Sequence, residues 1–156
     1  MDEIRFKVVG KPRGKGSLVG RFAHHPKATV EWESLCRLQA ADEMRARNLP
    51  VHEGPVELYL VVTIHRPKSH YGTGRNARKV KASAPGRMDH TQKPDYDKLA
   101  RGVTDALTGI VYHDDSQVTQ GVVRKEWCGR DEEQGVLVVA RLRDPSGPEE
   151  WEMRDA

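Results

Sequence analysis

Two groups of acids carry the chemistry this chain can do. Lys93-Pro94-Asp95-Tyr96-Asp97 places two carboxylates two residues apart where a helical pattern begins. After one short helix and a turn, Tyr112-His113-Asp114-Asp115-Ser116-Gln117-Val118 adds a second acidic pair. Carboxylates that converge repel one another and cost stability unless a cation or proton neutralises them. Hard oxygen donors point first to Mg²⁺. A cluster of Asp95, Asp97, Asp114 and Asp115 would hold one or two such ions and leave positions for water and a phosphate oxygen. The metal would activate the water, and Arg101 or Lys98 would hold the scissile phosphate or the leaving group. The reaction such a set performs is phosphodiester hydrolysis.

A plainer account of the same acids stays open beside this one. Asp95 would cap the helix and benefit from the positive end of its dipole. Asp97 and Arg101, four apart on one face, would form a surface pair worth roughly 0.3–0.5 kcal/mol. Asp114-Asp115 would simply make a turn. The catalytic account requires the piece Ile110-Val111-Tyr112 to run back along the helix, so that three or four carboxylates meet.

The elements that must position these residues follow from periodicity and punctuation. Ile4 to Val9 alternates and predicts a first strand. Gly10 to Pro26 is a loop rich in Gly, Lys and Arg. A helix is predicted over Ala28–Asn48, with Val30, Leu35, Leu38, Ala41 and Met44 as its core stripe. Val56 to Ile64 is the strongest strand, apolar enough for a central position buried on both faces. Residues 66–93 form a long basic loop, and loops of that length are usually functional or disordered. The helix Asp95–Leu107 buries Leu99, Val103, Ala106 and Leu107, and Thr108-Gly109 ends it. Gln117–Cys128 and Gly135–Arg143 read as two antiparallel strands joined through residues 129–134. The expected fold class is α+β, a small mixed sheet with two principal helices. Residues 1–144 would form one domain, with 145–156 as a C-terminal tail.

Composition narrows the function classes. The chain has 156 residues, 37% of them hydrophobic, and a mean hydropathy of −0.73, so it is polar for a globular domain. No apolar run approaches the ~20 residues of a membrane span, and no signal-peptide pattern opens the chain. Cys36 and Cys128 belong to no CxxC, which fits two reduced, buried thiols and a cytoplasmic setting. The net charge is only +3, but it is unevenly spread. Arg66, Lys68, Arg75, Arg78, Lys79, Lys81, Arg87 and Lys93 face the single acid Asp89 within residues 66–93. Acids gather instead at Asp131-Glu132-Glu133 and in the tail. A basic loop leading into a carboxylate site would hold a polyanion against it. DNA is the expected partner, through Arg75, Arg78, Lys79, Lys81, Arg87, Lys93 and Lys125.

Other motifs fall short. Gly10-Lys-Pro-Arg-Gly14-Lys15-Gly16-Ser17 follows a strand, but its spacing is one residue short of a Walker A loop. Gly16 stands where a Ser or Thr should bind Mg²⁺, so no nucleotide cofactor is expected. Asp95-Tyr96-Asp97 opens like an EF-hand loop, yet Leu99 and Ala100 occupy positions that need an oxygen ligand and Gly. The histidines show no zinc spacing. Trp32 and Trp127 read as core residues.

Lys93-Pro94-Asp95-Tyr96-Asp97-Lys98-Leu99-Ala100-Arg101, then Asp105-Ala106-Leu107, then Asp114-Asp115-Ser116-Gln117-Val118 resemble, in order and spacing, the core of the RusA family of Holliday junction resolvases of phages and prophages. Phe6-Lys-Val-Val-Gly-Lys-Pro extends the match weakly, and Lys125 fits a basic position on a later strand. The resemblance implies that Asp95, Asp97 and Asp115 are catalytic, metal-binding acids with Asp114 close by. The family's helical lysine is Arg101 here and its usual asparagine is Lys98. Arg101 keeps the charge but is a poor proton donor, so Lys98 would share the phosphate-binding role. A homodimer cutting both sides of a four-way DNA junction is implied, in a bacterial or phage-infected cell, with Mg²⁺ as metal and Mn²⁺ as its substitute. A flap- or fork-selective nuclease, or a junction-binding module without catalysis, are the alternatives.

Overall fold

The computed structural model describes residues 1–147; the predicted tail from 148 on lies outside the described residues. Four strands, β1 (Asp2–Val9), β2 (Val56–His65), β3 (Val118–Cys128) and β4 (Gly135–Leu142), and two helices, α1 (Lys27–Ala46) and α2 (Tyr96–Leu107), make a two-layer α+β domain. The sheet order is β1-β4-β2-β3. β4 is antiparallel to both neighbours, whereas β2 and β3 are parallel. A parallel pair needs a crossover, and here the basic loop and α2 supply it.

This topology corrects the expected pairing of the last two strands. β3 and β4 do run in opposite directions, but β2 lies between them and hydrogen-bonds to both. The short link at 129–134 looked like a hairpin connection, yet β2 has the longer apolar run and takes the centre. Burial along β2 alternates between buried and half-buried residues. One face is therefore sealed, and the other is only partly covered. Val56, Leu58, Leu60, Val62 and Ile64 join Ile4, Phe6 and Val8 of β1 and Val136, Val138 and Ala140 of β4 in one core under the helices.

The stripe expected for α1 is also corrected. Thr29, Trp32, Cys36, Ala40 and Met44 are buried, whereas Val30, Leu35 and Leu38 are exposed. The observed row keeps the same 3–4 residue spacing, rotated toward the side that seats the Trp32 indole. Burial pushes the Cys36 thiol up to about 12, so it is an inert packing group. On α2, Leu99, Val103, Ala106 and Leu107 are buried as expected. Truncating Leu99 or Leu107 to alanine should cost about 2–5 kcal/mol. That anchorage holds the entry of α2 in a fixed place.

Candidate active site

Asp95 is the N-cap residue of α2, and its carbonyl accepts the Leu99 amide at 3.0 Å. Its carboxylate makes no capping bond, so it does not do the job the plainer account gave it. Lys98 Nζ lies 3.3 Å from that carboxylate. Asp97 sits exposed in the first turn, where the helix dipole favours negative charge. Asp95, Tyr96 and Asp97 line an open pocket of about 630 Å³ together with Gln92, Lys93 and Lys125. Lys125 reaches in from β3 and donates to the Gln92 carbonyl at 2.5 Å. Burial pulls its ammonium below the usual lysine range, opposed by the charge of Asp95.

The second acidic pair occupies a different position. Asp114 caps a 3-10 turn at Asp115–Gln117, its Oδ1 accepting the Ser116 amide at 2.8 Å, which holds its carboxyl below the ordinary range. The Gln117 side chain completes a capping box and donates to the His52 and Gly54 carbonyls. Asp115 is exposed beside Tyr112, whose hydroxyl donates to the Thr104 carbonyl at 2.8 Å. Burial, with Asp115 next, pushes that hydroxyl's pKa up. Thr104 is about two turns along α2 from Asp97. Among the described residues, no three His, Cys, Asp or Glu side chains gather closely enough to hold a metal. Within one chain, then, Asp95 and Asp97 share a pocket, and Asp114 and Asp115 do not join them.

The predicted Asp97–Arg101 pair is not formed. Arg101 donates to Ser17 Oγ at 3.0 Å and lies 4.0 Å from Asp105. The cause is a strap, residues 10–17, that crosses α2 on this face. The Lys15 amide donates to the Lys98 carbonyl, and Lys15 Nζ sits 2.9 Å from both Glu33 and Asp105. Burial alone would lower the Lys15 pKa, but these two carboxylates more than reverse that and raise it. Gly14 lets the strap approach, because a Cβ there would stand 3.1 Å from the Lys98 Cβ and 3.3 Å from the Pro94 Cβ. The strap was legible only as a failed Walker loop. Gly14 serves close backbone approach and Lys15 a half-buried ion triad instead.

The basic loop is folded rather than structureless. It contains 3-10 turns at Lys68–His70 and Gly74–Asn76 and a bridge between Tyr71 and Val80. Trp127 lies 3.9 Å from the His90 ring and edge-on to His70 at 5.0 Å. The acids at 131–133, together with Glu126, neutralise part of the loop. Arg78 pairs with Asp131, and Arg87 with Glu132 and Glu126, at 2.8–3.0 Å. Arg75, Lys79 and Lys81 stand exposed on the loop, and Lys93 and Lys125 border the acid pair.

A two-layer domain that sets an aspartate pair among lysines, at the foot of a folded basic loop, has the make-up of an enzyme that cuts nucleic acid. Residues 5–138 match the family model described as Endodeoxyribonuclease RusA. The chain belongs to this family of Holliday junction resolving endonucleases. It is also similar to the uncharacterized protein YqaN of Bacillus subtilis (strain 168), 32% identical over 147 residues, which covers 90% of this chain and 97% of that protein. No described helix is long and apolar enough to cross a membrane.

Proposed function

We propose that the protein is a Mg²⁺-dependent nuclease that resolves four-way DNA junctions by paired hydrolysis, acting as a homodimer. The observation that carries this reading is the Asp95–Asp97 pair facing one open pocket lined also by Lys93 and Lys125, with Lys98 Nζ 3.3 Å from Asp95. Two carboxylates in a solvent-open pocket suit a small hard cation that keeps several of its waters, as Mg²⁺ does. Such an ion supplies a water that ionises near neutral pH and shields charge at phosphorus.

The remaining work belongs to side chains of this chain. Lys98 and Lys125 bind the scissile phosphate and counter the charge that grows on its oxygens. Asp95 and Asp97 would hold the metal, and Lys98, whose Nζ lies 3.3 Å from Asp95, would turn its ammonium to the phosphate. Asp115, which lies apart from the acid pair in one chain, would add a third carboxylate to the set that holds the metal. Arg75, Lys79 and Lys81 hold a DNA arm along the loop, giving salt-dependent affinity. A twofold dimer suits a near-twofold junction, each copy cutting one strand.

The test is cleavage of a labelled four-way junction and a matched linear duplex, with Mg²⁺ and with EDTA. Paired, Mg²⁺-dependent nicks in the junction alone are expected. Asp97→Asn should abolish cleavage while leaving junction binding intact or tighter, because it removes repulsion to phosphate. A folded Asp97→Asn protein that no longer binds the junction counts against the reading. The Lys98–Asp95 pair and the Asp114 cap favour one rival, a binding module without catalysis, which would bind the junction and never turn over.

A further inference from the structure

A second pocket, of about 430 Å³, adjoins the acid pair on the far side of Pro94 and Lys98. The strap forms one wall, the first turn of α1 another, and Asp95 is shared with the pocket that holds the acids. Its lining divides by chemistry. Pro12, Pro26, Ala28 and Ile64 give it apolar surface, while Lys11, Arg13, Lys93 and Lys98 supply four cations against the one carboxylate. Thr29, 7% exposed, is the neutral polar group in the wall. The N-terminus of α1, which Pro26 cannot cap through a side chain, adds its positive pole.

The geometry points to this pocket as the seat of one unstacked nucleotide of the strand being cut. The size suits a small ligand, whose pockets span about 300–1,000 Å³, and is too small for a base pair with its backbones. The base would lie on the apolar surface and its phosphate would meet Lys11 and Lys93. Its neighbour along the strand would then reach the acids through the shared Asp95. Extruding a base costs a few kcal/mol in intact duplex and less where stacking is already interrupted. A branch point therefore enters more easily than linear DNA, and the pocket acts as a determinant of both structure and sequence preference. Its charged groups meet phosphate, and with Thr29 as its neutral polar side chain it selects the base by fit rather than by a hydrogen-bond code.

This inference rests on the nuclease reading, and one experiment separates their failures. Four-way junctions carrying 2-aminopurine, at each of the nucleotides flanking the cut in turn, are bound by the Asp97→Asn protein. Emission should rise several-fold at a single position, as for a base taken out of its stack. Ala28→Leu, added at the partly exposed first turn of α1, should abolish that rise while circular dichroism shows the fold retained. In the cleaving protein, Ala28→Leu should flatten the preference at that position by about tenfold, the scale of discrimination by an apolar pocket. Lys11→Ala provides a second variant outside any element and should weaken the same emission change. No rise at any position, or a rise and cutting pattern unchanged by both substitutions, overturns the pocket while leaving the nuclease standing. A junction neither bound nor cut with Mg²⁺ removes both readings together.

Discussion

Lys15→Met is the sharpest probe of how the sequence positions its site. Lys15 Nζ lies 2.9 Å from Glu33 of α1 and 2.9 Å from Asp105 of α2, with its side chain only 14% exposed. Both carboxylates contact one nitrogen, so their oxygens are within about 6 Å of each other, where two like charges repel by about 3 kcal/mol at an effective dielectric of 20. The acids are 23% and 29% exposed, so water screens part of that repulsion. A net cost of about 2 kcal/mol is expected, against the several kcal/mol that would follow from a fully buried site. For a chain of this length that corresponds to a fall in Tm of roughly 4–8 °C. Asp105→Asn in the same chain should recover part of it at pH 7. Calorimetry of the single and double variants decides. A fall in Tm of less than about 1 °C, or no rescue by Asp105→Asn, would refute the claim that this ion triad ties the strap and both helices together.

The two cations of α2 should separate cleanly in single-turnover cleavage. Lys98→Ala should slow cutting by about 10²-fold, as loss of a charge-stabilising group does, and Arg101→Ala by less than about threefold. Equal losses would show that Arg101 leaves Ser17 to serve the phosphate. A third expectation concerns His90, which is 6% exposed and has neither ring nitrogen hydrogen-bonded. Burial, then the charges of Lys125 and His70, hold it below the ordinary histidine range, and His70 is lowered in turn by burial, Arg66 and Lys81. The unfolded chain then binds more protons near pH 6.5 than the folded one, so stability rises with pH through that window and is lost on acidification below it. Urea midpoints at pH 7.5 and 5.5 should differ in that direction, and His90→Phe should reduce the difference. An unchanged difference would place the titration elsewhere.

Much of this was legible because local and tertiary preferences agree. The α2 stripe Leu99, Val103, Ala106 and Leu107 reads directly from helical spacing, and the same residues are buried. Pro94 and Asp95 mark the helix entry, and the acid pair sits there. α1 was misread because its sequence offers two rows at nearly the same spacing. One row holds Val30, Leu35 and Leu38, and the other holds small Thr29, Cys36 and Ala40 around Trp32; Met44, buried as expected, belongs to both. Hydropathy favours the first row, but the indole has to find a deep seat, and the helix rotates to give it one. The pairing of β3 with β2 was hidden for a different reason. Sequence separation of six residues between β3 and β4 argues for a hairpin, whereas the crossover through α2 depends on a packing surface formed by distant segments.

The strap exposes the deeper limit on reading a site from its motif. Asp97 and Arg101 have the spacing of a helix pair, and nothing within α2 forbids it. What breaks the pair is a segment some eighty residues earlier, whose Ser17 and Lys15 draw Arg101 and Asp105 into a separate network. That removal has a consequence for chemistry. With Arg101 turned away, the ammonium groups at the acid pair are Lys98, from the next position around the helix, Lys93, from the loop before it, and Lys125, from the edge strand. On the proposed nuclease reading, Lys98, which departs from the family pattern, would supply charge at the phosphate, while Arg101, which keeps the family's charge, is held by Ser17 and Asp105. Motif spacing places the acids at the helix entry; which cations stand beside them depends on the strap that crosses α2, a contact no spacing within the motif encodes.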